Sequence, residues 1–162
     1  SNLIYESAFS LKTSDLVSDG KSLFFSNNKN QFFSVDIASG SFNWQNKISS
    51  NLRSTLIDNY IISISIDGYL IITEKKSGNI LRVTDVFQNF NSKKRKKIQP
   101  VGFVVGLNNI YLTTSNGRIS IIDITSGKTI STKKVDDEKI SRPFIQNENL
   151  FLIKDNAIIK LN

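Results

Sequence analysis

The chain has 162 residues, a formal net charge of +7, and no His, Cys or Met. That length suffices for the core of one domain. The missing residue types exclude disulfides, thiolate chemistry, Ser-His and Cys-His nucleophiles, and metal sites built on Cys or His.

The hydropathy pattern is period two throughout, in short runs rich in Ile, Val, Phe, Tyr and Thr and punctuated by Asn, Asp, Gly and Ser. No window carries a capped helical stripe. The longest apolar run is interrupted by Asp67 and Gly68, too early to cross a bilayer as a helix. No signal peptide is visible at the N-terminus. With no Met, Ser1 is not a natural start, and the chain reads as a piece of a longer protein.

In chain order, Leu3 to Leu11 reads as the fourth strand of a preceding repeat. A first repeat then gives strands at Asp15–Ser18, Ser22–Ser26, Gln31–Ile37 and Ser41–Ile48. The second gives Arg53–Ile57, Tyr60–Ile66, Tyr69–Glu74 and Asn79–Val86, and the third Pro100–Val105, Ile110–Thr114, Arg118–Ile124 and Thr129–Val135. A last repeat has three, at Arg142–Gln146, Leu150–Lys154 and Ala157–Leu161. The turn residues Asn30, Gly68, Gly117 and Asn156 are 38, 49 and 39 residues apart. The middle interval is long because a basic segment, 88–98, is inserted there. Four-stranded units of about 40 residues are the signature of β-propeller blades. The expected fold is therefore all-β: a propeller of four-stranded antiparallel blades, about four in this chain and part of a larger ring. Blades are expected at 12–50, 51–87 and 99–137. A three-stranded blade follows at 138–162, and residues 1–11 form a strand completing another blade.

The residues Val35-Asp36-Ile37-Ala38-Ser39-Gly40-Ser41-Phe42-Asn43-Trp44 and Ile122-Asp123-Ile124-Thr125-Ser126-Gly127-Lys128 resemble the quinoprotein-type (PQQ-like) propeller repeat. The ending resembles the C-terminal blades of the BamB family, with Lys133-Lys134-Val135-Asp136, Arg142-Pro143 and Asn149 to Asn156. These are propeller lipoproteins of the machinery that assembles bacterial outer-membrane β-barrels. The resemblance implies a non-catalytic scaffold, periplasmic and peripheral to the outer membrane, whose partners are proteins of that machinery. It also implies an eight-bladed ring, of which this chain is roughly the second half. Two copies could rebuild that ring as a homodimer by exchanging the Leu3–Leu11 strand. The rival class is a fragment of a quinone-dependent dehydrogenase, but no calcium-and-quinone constellation is recognisable, so neither cofactor nor catalytic residue is assigned.

Individual residues read mostly as structural. Trp44 is expected to pack between blades. Arg82 and Ser131 stand near its place in the next two repeats, so docking there is expected to rely on aliphatic packing. Asp36 and Asp123 precede tight turns and should cap them. Asp136-Asp137-Glu138 lacks the spacing of a calcium loop and reads as a solvated loop.

The basic run Lys93, Lys94, Arg95, Lys96 and Lys97 is the one feature that the repeat does not require. It accounts for five positive charges and leaves a net of only +2 elsewhere. Nucleic acid is therefore disfavoured as a partner, because a dedicated nucleic-acid face spreads its charge and interleaves aromatics. The run is expected to be a solvated, mobile loop with little packing of its own. Its functional reading is contact with an anionic surface, whether acidic lipid head groups, lipopolysaccharide or an acidic protein, helped by apolar contact from Phe87, Phe90 and Ile98.

Overall fold

A computed structural model describes residues 10–161. The turn chemistry shapes it into four antiparallel meanders. The first sheet orders β1 (Val17–Ser18), β2 (Ser22–Asn27), β3 (Gln31–Asp36) and β4 (Phe42–Asn46). The second orders β5 (Thr55–Ile57), β6 (Tyr60–Ile64), β7 (Tyr69–Glu74) and β8 (Ile80–Asp85). A short helix, α1 (Ser92–Arg95), leads to the third, made of β9 (Pro100–Val105), β10 (Asn109–Thr114), β11 (Arg118–Asp123) and β12 (Thr129–Lys134). The fourth has three strands, β13 (Phe144–Gln146), β14 (Asn149–Lys154) and β15 (Ala157–Leu161). The protein is an all-β propeller segment of four blades, and the ring is not closed. The reading of Leu3 to Leu11 as a strand lies almost wholly outside the described residues.

Tight turns between the second and third strands need a left-handed residue, which Gly and Asn supply at least cost. Asn30, Gly68, Gly117 and Asn156 all adopt it, with φ between 61° and 82°. Between the third and fourth strands, Asp36 caps its turn by accepting from the backbone amide and hydroxyl of Ser39 at 2.8 and 2.7 Å. Asp123 does the same with Ser126, both at 2.6 Å. In each full blade the third and fourth strands slip register at the same point: Ser34/Val35, Ile72/Thr73 and Ile121/Ile122. Such a bulge re-aims the outer strand. The residues opposite its near side are Trp44, Arg82 and Ser131.

The cores lie between sheets. Val17, Phe24, Phe32 and Ile48 of the first sheet region pack with Ile61 and Ile71 of the second. Ile62, Ile64, Leu70 and Phe87 pack with Phe103, Ile110, Leu112 and Ile122 of the third. At the first interface Trp44 meets Phe32 edge-on at 5.4 Å, and its Nε1–H donates to the Lys75 carbonyl of the next blade at 3.0 Å. Asn46 adds a bond from Nδ2 to the Gly78 carbonyl at 2.6 Å, and Lys75 reaches Asp19 at 3.2 Å.

At the second interface the expectation of purely aliphatic docking is corrected. Arg82 occupies the register position of Trp44, and its Nη1 donates to the Ile124 carbonyl at 3.2 Å. Ile124 follows its turn aspartate just as Lys75 follows Glu74, so two unlike side chains make one equivalent bond. What they share is length and an N–H donor at the tip.

The third interface is made differently, and the reading of the acidic cluster as a solvated loop is corrected at Asp136, while Asp137 and Glu138 are exposed as expected. The Asp136 side chain is only 13% exposed and ion-pairs with Lys154 of β14. Its Oδ1 also accepts the amides of Asp137 and Glu138 at 2.5 and 2.9 Å. The Lys154 ammonium and these N–H donors hold its pKa at about 2, below the usual 3.8.

Two predictions follow from these contacts. Gly40 and Gly78 share a positive φ, 71° and 77°, at equivalent turns. No described atom lies within 4 Å of a Cβ built at Gly40, whereas one at Gly78 would come within 2.6 Å of the Trp44 ring. Gly40→Ala should therefore cost about 1 kcal/mol for the backbone alone, and Gly78→Ala about 3 kcal/mol once the clash is added. Equal losses in urea unfolding would refute the wedge. The second concerns acid. A carboxylate with a depressed folded pKa stabilises the fold above its unfolded value and loses that contribution as pH falls through the folded value. Asp136 should thus contribute fully above about pH 4 and progressively less toward pH 2. Asp136→Asn should flatten the stability profile across that window, read by thermal melts at successive pH.

Candidate interaction surface

The inserted segment leaves the end of β8 and returns to the start of β9. Phe87, fully buried, lies against the Gly68 turn, and Phe90 packs edge-on against it at 5.6 Å. Asn91 then caps α1, its Oδ1 accepting the Lys94 amide at 2.9 Å. The Ile98 amide donates to the Arg95 carbonyl at 3.2 Å, and the Ile98 side chain turns back into the core. Phe87 and Ile98 are therefore structural anchors rather than apolar contacts offered to a partner, and Phe90 packs against the same core. The expectation that Phe87 and Ile98 assist surface binding is corrected; Phe90 is half-buried.

Within the basic run, Arg95 separates from its neighbours. Its guanidinium ion-pairs with Asp85 at the end of β8 and sits 5.2 Å from the Tyr69 ring centroid. Hydrogen bonding to Asp85 raises its pKa above the ordinary arginine value. A planar guanidinium can pair and stack at once, which a lysine ammonium cannot. Lys93, Lys94, Lys96 and Lys97 are exposed, and among the described residues none forms an ion pair. The run is thus a pinned helical knob presenting four cations, and the expectation of a loop with little packing fails at Arg95. Local sequence gave no signal for this arrangement, because Tyr69, Asp85 and Arg95 meet only after the sheet has formed.

Trp44, half-buried at the first blade interface, is engaged there by Phe24, Phe32 and the Lys75 carbonyl. Among the described residues, no three His, Cys, Asp or Glu side chains group to hold a metal ion.

Residues 5–84 match the family model described as outer membrane protein assembly factor BamB. Over that span, just under half of the chain, the sequence is similar to the PQQ-like BamB family. BamB from Moraxella catarrhalis superposes with a TM-score of 0.69 over 91% of this chain at 16% identity. The chain spans 42% of the length of that BamB. The computationally designed Ika4 protein gives 0.71 at 13% identity, covering 92% of this chain and 89% of its own. U3-55K gives 0.66 at 12% identity, covering 93% and 52%. At these identities the BamB and Ika4 structures show a shared propeller fold. No curated protein matches the chain.

Replacing Lys93, Lys94, Lys96 and Lys97 together by Ser should change stability by less than about 0.5 kcal/mol, as exposed unpaired charges do. Arg95→Met should cost about 1 kcal/mol, combining a half-exposed ion pair with a cation–π contact. Denaturant unfolding of the two variants checks the division; similar losses would refute it.

Proposed function

We propose that this chain is a non-catalytic protein-interaction scaffold acting, as BamB-like propellers do, in outer-membrane β-barrel assembly, periplasmic and peripheral to the outer membrane. The observation that carries the reading is the BamB-family match over residues 5–84 on a four-bladed propeller framework. Propellers hold their loops on rigid sheets, and partner contacts fall on those loops. The loop that departs furthest from the repeat is the one carrying α1.

Its four free lysines favour an acidic protein partner over a lipid surface. Phe87 and Ile98 are used up beneath the knob, so a bilayer would gain Coulomb attraction without apolar insertion. Each lysine near an anionic membrane is worth about 1 kcal/mol, and salt weakens it further.

A photo-crosslinking residue placed at Lys94 in the full-length parent tests both steps. The expected product is a covalent adduct with a component of the barrel-assembly machinery, lost when the other three lysines become Ser. Adducts with lipid alone, or none with that machinery, would overturn the proposal.

A further inference from the structure

The inner strands of the four blades line a concave wall, and the residue two positions before a shared register point differs in each. That point is Val17, Thr55, Val104 and Phe144, the residues opposite Phe24, Ile62, Tyr111 and Phe151. Two residues upstream stand Asp15, Arg53, Gly102 and Arg142. Of this row only Gly102 lies within a strand; Arg53 and Arg142 lead into β5 and β13.

One cavity of about 450 Å³ touches all four inner strand regions, with Leu16, Ser18, Arg53, Thr55, Val104 and Arg142 among its walls. That volume falls within the range of ligand sites. Both arginines are exposed, and neither forms an ion pair among the described residues. Asp15, the one carboxylate of the row, is not among the cavity's lining residues.

Gly102 explains how one arginine is aimed. A Cβ there would come within 2.6 Å of the Arg142 Cβ and 2.7 Å of its Cγ. The third blade thus gives up a side chain, and the Arg142 stem takes its place. The start of the Arg142 side chain is therefore fixed by packing over Gly102.

We propose that this cavity is an anion site for an acidic peptide, with Arg53 and Arg142 each taking one carboxylate. Two arginines without ion pairs on the walls of one cavity, lined mainly by polar surface, put like charges where their fields add and draw an anion. The planar fork of arginine matches a carboxylate through two parallel N–H donors. The inner strands pair on one side only, so their free backbone edges face the same space and can meet an extended chain. Carboxylates spaced along a peptide fit two arginines borne on different blades better than a single compact ion does. The site is separate from the lysine knob.

Calorimetric titration of the protein at low salt, with a short poly-glutamate peptide and with inorganic phosphate in separate arms, tests this. The peptide should bind and phosphate should bind far more weakly. Arg53→Gln should weaken the peptide about tenfold, as loss of one charge-assisted pair does. Arg142→Met, which keeps the stem over Gly102, should do the same. The four-lysine Ser variant should bind as the parent does. No peptide binding, unchanged binding in the Arg53 variant, or loss in the lysine variant would each overturn the assignment. Phosphate binding equal to that of the peptide would replace it with a small free oxyanion. If Arg142→Met fails to fold, Arg53→Gln alone decides, because its side chain is exposed.

Discussion

A hydrogen bond from the tip of an outer-strand side chain to a turn carbonyl of the following blade sets the spacing and tilt of the sheets. Trp44 to Lys75 and Arg82 to Ile124 are the two instances. Each needs a bulge in the third and fourth strands to aim the donor and a tight turn in the next blade to present the acceptor. The capping by Asp36 and Asp123 belongs to the same requirement, since a turn that wandered would carry its carbonyl out of reach. The apolar clusters between sheets supply most of the stabilisation, but apolar packing is non-directional and would tolerate sliding. The polar tip removes that freedom.

The strand order and turn positions were legible because they are local. Asn or Gly at the second turn, and Asp or Glu followed by Ser-Gly at the third, mark backbone conformations that few residues adopt. The apolar alternation fixes which face is buried. Of the joints between blades, Trp44 was legible and the others were not. Arg82 read as a departure from Trp44, since residue type hides that both are long donors, and its acceptor lies 42 residues away. Asp136 read as part of a solvated acidic cluster, because nothing nearby in sequence announces Lys154. Arg95 was hidden inside a run of like charges. In all three cases the side chain's role is set by a partner brought in from another strand or blade.

Charge is used in two ways in this molecule. Asp19 with Lys75 and Asp136 with Lys154, both partly buried, tie neighbouring blades and fix their geometry. Arg95 ties an insertion to its own blade. The four lysines of the knob and the two arginines of the inner wall serve no such joint. The knob residues and the residues lining the inner cavity do not overlap.

The connectivity of the sheets has a kinetic consequence. Among the described residues every strand in each meander pairs only with the strands next to it in sequence, so forming these sheets closes only short loops. Chains rich in such local contacts fold faster than β proteins that must first bring distant strands together. Each blade can therefore nucleate alone as the chain emerges, with the next docking onto a finished template, as in other repeat architectures. Hydrogen exchange would then proceed by blade, each releasing its amides as a unit, rather than in one cooperative opening of the whole chain.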